Sequence, residues 1–330
     1  MSYSTAAESF TTLERPWLDL LATCATNHVF LTPAWQKAWW QVFGCGRDLL
    51  LLSVRQDTRL MGIIPLTIQE KRVSFIGSSD VCDYMDFIAH RGEESAVFSQ
   101  ALDYLEAMDW DSIELHSLRP QSLALAYFVP LAKARGYPVK ITQEDVSPQL
   151  VLPSSWQEYL SQLKKKERHE LRRKLRRLDR TPSARFYTIR EKGEVAQGMT
   201  GFLALFKLSP GEKASFMTEK MIGFFETIAR SLAEEDYLRL SFLEMNGSQV
   251  ASTLWLDYDN TLYLYNSAYD PAYATLSVGL LLKVFCLREG IQEGKSRFDF
   301  LRGAESYKYD LGAQDVPIYH CTISRDYAHR

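Results

Sequence analysis

The chain has 330 residues, 46% apolar and 24% charged, with a net charge of −3, a balance that excludes disordered and fibrous proteins. It has no run of about 18 apolar residues, and the N-terminal MSYSTAAESFTTLERPW has acids where a signal peptide needs a basic and then an apolar segment; a soluble, cytoplasmic protein is expected. Five cysteines, none spaced as CxxC, exclude a disulfide framework and a zinc knot, and six dispersed histidines predict no metal.

The length suits two domains of about 150 residues. Residues 1–45 read as helical. HVFLTPAWQKAWWQVFG places Thr32 as a cap, Pro33 at the first helical position and Gly44 as a stop, with tryptophans at i and i+4 marking core. From Asp48, LLLLSVR, LMGIIPLTIQE and RVSFIGSS predict a strand meander with turns near Asp57 and Glu70. DVCDYMDFI follows, and then a helix (Glu94–Met108), a strand (Ser112–Ser117), a helix (Gln121–Arg135) and a strand (Val139–Thr142).

Residues 142–155, with Pro148 and Pro153, read as a linker, which sets the domains at 1–147 and 148–330. From Trp156 a helical stretch repeats leucines beneath KKKERHELRRKLRRLDR. That run, Lys164 to Arg180, carries a local charge of +7 and leaves −10 for the rest. Thr181-Pro182 ends the helix. A strand (Arg185–Arg190) and two helices (Val195–Lys207 and Glu219–Glu234) come next, and the loop Leu208–Thr218 between the helices is placed to cover a site.

Three strands follow: Tyr237–Met245, Val250–Leu256 and Thr261–Ala268, joined by turns at Asn246-Gly247 and Asp257–Asn260. An irregular loop then leads into a helix opened by Ser277-Val278-Gly279. Ser277 is expected to cap it, and Gly290 and Gly294 to end it before a strand at Arg297–Leu301. Strand, loop, helix, strand makes a right-handed βαβ crossover. The first turn of such a helix offers unpaired N–H groups and a positive dipole end to a phosphate. Gly279 fits close helix packing equally well.

In this order the basic run, NSAYDPAYATLSVGLLL and FDFLRGAESYKYDLG resemble the GNAT superfamily of N-acyltransferases, in particular its CelD-type branch associated with polysaccharide biosynthesis and the related Fem aminoacyl transferases. The resemblance implies an α/β (α+β) fold of two tandem GNAT-like units with mixed sheets flanked by helices. The first half repeats the meander, helix, strand order, but Glu93 and Glu94 at its helix start repel a pyrophosphate, so it is read as shaping an acceptor site. The frame Ala274–Gly279 keeps only the last position of the ordinary GNAT phosphate loop.

No Ser/His/Asp order, HExxH or P-loop is present, and direct acyl transfer needs none. The resemblance implies acetyl-CoA or another acyl-CoA as co-substrate, without a metal. Tyr265, Asn266, Ser267 and Ala268 lie along the donor, and Ser277, Val278 and Gly279 take its phosphates. Lys308 is matched to a lysine of the Fem-like branch near the reacting carbonyl. Tyr307 or Tyr309 is a proton donor to the leaving thiolate, and Glu305 or Asp299 a base for the amine. Asp83, Tyr84, Asp86 and Tyr269 are candidates for binding an amine acceptor, an amino sugar or cell-envelope precursor. Two other readings stay open: an aminoacyl-tRNA-dependent Fem-like ligase, and a non-catalytic module that binds nucleic acid or another anionic partner through Lys164–Arg180.

Overall fold

The computed structural model describes residues 2–181, 184–209 and 216–325. The chain divides into two compact units, Val146–Asp315 and a unit formed by Met1–Asp145 with Val316–Arg330. The last strand therefore goes with the first unit, whereas the sequence placed it with the second. The boundary falls inside a strand, Val139–Val151, so the expected linker is largely β-structure.

The first unit opens with β1 (Tyr3–Ala7), missed by the sequence reading, followed by α1 (Phe10–Leu21) and α2 (Pro33–Phe43). Thr32 caps α2 as expected, its Oγ1 accepting the Trp35 N–H at 3.3 Å. The meander is β2 (Asp48–Gln56), β3 (Arg59–Gln69) and β4 (Arg72–Phe75), with a short β5 (Ile88–Ala89) on β3. α3 (Glu94–Glu106) crosses to β6 (Ser112–Leu118), which lies parallel to β4, and α4 (Val129–Ala134) leads to β7 (Val139–Val151). The C-terminal strand, Gln314–Ser324, pairs antiparallel with β6. Trp35 and Trp39, four residues apart on α2, are fully buried as their spacing led one to expect, and Trp17 of α1 is fully buried too.

The second unit starts with α5 (Trp156–Gln162) and α6 (Lys165–Asp179), which are separate because Leu163 and Lys164 take extended backbone angles. β8 (Arg185–Ile189), α7 (Lys192–Leu208) and α8 (Glu219–Glu234) follow. The centre of the loop expected between those helices, 210–215, lies outside the described residues. β9 (Leu238–Met245), β10 (Ser248–Tyr258) and β11 (Thr261–Tyr269) form an antiparallel meander. Its two-residue turns, Asn246-Gly247 and Asp259-Asn260, have positive φ throughout, the hairpin geometry that matches strand twist.

α9 (Val278–Gln292) crosses to β12 (Arg297–Asp299), parallel to β11, and the short α10 (Ser306–Asp310) follows. The strand order is β7-β12-β11-β10-β9-β8. Gly290 does not end α9: it lies inside, where a Cβ would stand 2.4 Å from Leu262 Cδ1, so its smallness lets the helix close on β11. Gly294, at φ 71°, follows the helix end. Trp255, Leu262, Leu281, Leu282 and Phe298 fill the core between this helix and the sheet.

Candidate active site

The second unit's sheet opens on one side of β11. Parallel pairing runs only over Thr261–Arg297, Leu262–Phe298 and Tyr263–Asp299, after which β12 ends while β11 continues to Tyr269. Opposite Trp255 the β10–β11 register slips by one residue, an extra residue of β11 at Leu264–Tyr265 that bends the strand. Residues 264–269 thus run on along β11 past the end of its pairing with β12.

β12 parts from β11 because the chain reverses at Leu301, which adopts φ 59°. Phe300 N–H donates to the Pro148 carbonyl and Gly303 N–H to the Val146 carbonyl, both at 3.0 Å. Asp299, 1% exposed, accepts from Leu301 N–H (2.9 Å), Ser147 Oγ (3.2 Å) and Gln149 Nε2 (2.9 Å). Lys308, 2% exposed, donates to the carbonyls of Leu301 (2.9 Å), Arg302 (2.8 Å) and Gly303 (2.9 Å) and pairs with Glu305 at 2.9 Å. Both charged groups are bound into the turn that separates the strands. Glu305 is 57% exposed at its side chain. Tyr307 packs against the core, and burial, with a smaller contribution from Glu305, pushes its phenol above the ordinary tyrosine value.

α9 begins beside this opening. A 3₁₀ turn (Pro271–Leu276) leads into Ser277, which takes a left-handed conformation (φ 59°) and makes no side-chain cap, contrary to expectation; its carbonyl accepts Leu281 N–H at 2.9 Å. The hydroxyl therefore leaves the first-turn amides unclaimed. Val278 is buried. A Cβ on Gly279 would sit 3.1 Å from Tyr269 Cδ1, so the glycine packs α9 against the end of β11. Tyr265 lies 5.7 Å from Phe225, ring to ring, and Asn266 Oδ1 accepts Ser267 N–H at 2.8 Å. Tyr265, Asn266, Ser267 and Tyr269 are half-buried, and Ala268 is buried.

The basic helix α6 buries Leu171 and Leu178, and Arg177 Nη1 donates to the Thr275 carbonyl at 3.0 Å, inside the loop before α9. Lys166 and Lys174 line a small cleft of about 120 Å³ with Glu167, Glu170, Asp310 and Leu280, so its cations are balanced by carboxylates. Arg177 brings positive charge to the loop before α9, whose N-terminal dipole end has the same sign.

A residue missed by the sequence reading is Lys283, 8% exposed on α9. Its Nζ donates to the Gly279 carbonyl at 3.2 Å and stands 5.0 Å over the Tyr307 ring. The signal was a lysine in the apolar run LLLKVF, four residues after Gly279.

The first unit's candidates divide. Tyr84 is fully buried, 5.0 Å beneath the Arg119 guanidinium and edge-on to His28 and Phe30. Asp86, 2% exposed, accepts from Leu123, Ala124 and Phe87 N–H (2.8, 2.9 and 2.9 Å) and Thr26 Oγ1 (3.1 Å). Burial pushes its carboxyl up to about 6 against those backbone bonds. Both are core residues closed to an incoming amine, which corrects the expectation that they line an acceptor site. Asp83 is half-buried.

Residues 165–309 match the family model described as "Acetyltransferase (GNAT) domain". None of the curated proteins compared matches the sequence. Among solved structures, FemX is similar with a TM-score of 0.66 at 11% identity, covering 96% of each chain. A protein described as the C-terminal domain of a lysylphosphatidylglycerol synthetase from Agrobacterium fabrum gives 0.64 at 11%, over 97% of this chain and 94% of that one. A tandem GNAT protein from the clavulanic acid biosynthesis pathway gives 0.53 at 12%, over 98% and 99%. At such identities these likenesses speak for the fold alone. They agree on a mixed α/β fold of GNAT type, and the family match over residues 165–309 supports an acyltransferase.

Proposed function

From the premise that residues 165–309 form a GNAT acyltransferase domain, we propose that the chain moves an acyl group, acetyl in the simplest case, from acyl-CoA to an amine by direct transfer. The observation that carries this reading is the parting of β11 and β12 after the Tyr263–Asp299 pair, beside the N-terminal end of α9. The donor's pantetheine fills the place of the missing strand along 264–268, and a backbone N–H there holds the thioester oxygen as charge develops on it. The amine attacks, the tetrahedral adduct collapses, and the thiolate leaves. Asp299 and Lys308 act as positioning residues that keep the strands apart, while Tyr307, Glu305 and Lys283 are the candidates for proton and charge traffic.

The donor phosphates lie on the first-turn amides of α9, with Arg177 and Lys174 of α6 supplying charge. Following the CelD-type resemblance, the acceptor is an amino sugar or cell-envelope precursor handled in the cytoplasm.

A second reading, in which aminoacyl-tRNA is the donor, draws on α6, whose exposed cations and Arg177–Thr275 contact suit a longer polyanion.

Calorimetric titration of acetyl-CoA and longer acyl-CoAs into the purified chain, into Gly279→Glu and into Gly279→Ala tests the first reading. Micromolar binding abolished by the glutamate and only weakened by the alanine, whose Cβ merely crowds Tyr269, is the expected result. No heat with any acyl-CoA, alongside salt-sensitive aminoacyl-tRNA binding lost in Lys174→Glu/Arg177→Glu, replaces it with the second.

A further inference from the structure

In the first unit, away from the strands and helix just described, β6 and the C-terminal strand bring together two histidines that lie 204 positions apart in the sequence. Glu114 and His116 are two residues apart on β6 and so share a face; Thr322 stands opposite Glu114 in the register. Between Leu115–Cys321 and Leu118–Tyr319 the pairing slips by one residue, so His116 and Ser117 together oppose His320. This is a β-bulge, and Ser117 within it takes φ 58°, unusual for a residue that is not glycine. The bulge lays the His116 ring flat on His320, centroids 3.8 Å apart and planes 5° from parallel.

Each imidazole has its own carboxylate. His320 Nε2 lies 2.7 Å from Glu114 Oε2, which also accepts from Thr322 Oγ1 at 2.8 Å. His116 Nδ1 lies 2.9 Å from Glu144 Oε2, and the other oxygen of Glu144 accepts the Ser117 N–H at 2.7 Å. Two carboxylates only 20% and 15% exposed thus stand beside two imidazoles in a partly desolvated place. Arg47 and Arg72 are the cations lining the adjoining cavity of about 520 Å³, which Glu114 and His116 also line.

We propose that Glu114, His116 and His320 bind a divalent transition-metal ion of zinc's kind, with Glu144 as the carboxylate that orients His116. Candidate ligand atoms of the three residues already lie within 4.8 Å of one another. Ligands about 2.0–2.2 Å from a tetrahedral zinc are about 3.3 Å apart, a convergence that side-chain rotation supplies. The chemistry of the donors fits: two imidazoles and a carboxylate are borderline ligands, and zinc sites of that composition keep a fourth position open. Glu114 and His116 both line the cavity, through which a fourth ligand would reach the ion. The Nδ1 of His116 is held by Glu144, which leaves Nε2 to the metal, the arrangement in which a ligating histidine gives its second nitrogen to a carboxylate. At His320 the Nε2 that now lies 2.7 Å from Glu114 Oε2 is the nitrogen offered to the ion, beside that carboxylate. Glu144, anchored on the Ser117 backbone amide, keeps hold of His116 at Nδ1 while the rings turn out of their stacked arrangement to converge on the metal.

The test uses the full chain stripped with a chelator and titrated with Zn²⁺ by calorimetry, and with Co²⁺ by visible absorption. One equivalent of Zn²⁺ binds, Co²⁺ shows ligand-field bands of a four- or five-coordinate site, and Glu144→Gln weakens zinc binding by about 10–100-fold. His320→Ala or the near-isosteric Glu114→Gln weakens it at least as much, with thermal melts confirming that each variant folds. Where His320→Ala fails to fold, Glu114→Gln alone decides. Absence of saturable one-to-one binding, or binding unchanged in the folded variants, overturns the proposal.

Discussion

Replacing Lys308 by methionine separates two roles that one lysine in this place can have. In the structure its ammonium, 2% exposed, donates to three carbonyls of the turn 301–303 and meets Glu305. A hydrogen bond to a charged group contributes about 1.5–3 kcal/mol net, but the three share one donor and do not add in full. Removing one member of a buried charged cluster costs about 3–5 kcal/mol. For a unit the size of Val146–Asp315, at about 2–4 °C per kcal/mol, its transition drops by about 6–20 °C. The loss is local first: Leu301 and Gly303 amides, bonded to Asp299 Oδ1 and the Val146 carbonyl, exchange hydrogen faster. Calorimetry and amide exchange read both effects. Lys308→Arg does not restore them, because a planar guanidinium cannot converge on three carbonyls as a tetrahedral ammonium does. A Lys308→Met chain that melts within about 2 °C of the parent, with unchanged exchange at Leu301 and Gly303, would refute the positioning role, and more than 100-fold slower transfer in that chain would place the charge on the donor instead.

Two further predictions follow from burial. Cys45 is exposed, whereas Cys24, Cys82, Cys286 and Cys321 are buried, and burial pushes the thiols of Cys82, Cys286 and Cys321 up to about 12. A disulfide reagent at neutral pH therefore titrates one thiol quickly in the folded chain and five after denaturation; a second fast thiol contradicts this. Burial also lifts Asp86 from 3.8 to about 6, so the folded state holds its proton more tightly than the unfolded one. Its contribution to stability is complete below about pH 3.8 and is lost as pH rises through about 6, a span of up to about 3 kcal/mol. Measured against Asp86→Asn, which does not titrate, the melting temperature of the first unit declines from pH 4 to pH 7, and a flat difference refutes it.

Local physics wrote much of the second unit plainly. Asn246-Gly247 and Asp259-Asn260 between β-branched and aromatic runs announced β9–β11, since few other residues take two positive φ angles cheaply. The apolar helix before Arg297 announced the crossover to a parallel strand. The same reading placed Thr32 at the start of α2 and divided Trp156–Arg180 into leucines under cations, although the break at Leu163–Lys164 has no sequence signal as plain as glycine or proline.

What stayed hidden depends on residues far apart in sequence. Gly290 looked like a helix end because its neighbour Leu262 is 28 positions earlier, and Ser277 looked like a cap until its backbone turned left-handed. Asp86 and Tyr84 were read as candidates for binding an amine acceptor, yet the backbone amides of Leu123 and Ala124, from the chain before α4, enclose the Asp86 carboxylate. Lys308 and Asp299 read as reactive groups because sequence shows charge but not which carbonyls and amides surround it. The pairing of His116 with His320 was the least legible, since a bulge in one strand and register with another 204 residues away decide it. The order of strands and helices, and with it the fold, was determined by periodicity and turn chemistry within short windows. The environment of each ionisable group was decided by tertiary packing, because desolvation and hydrogen bonding act through space rather than along the chain.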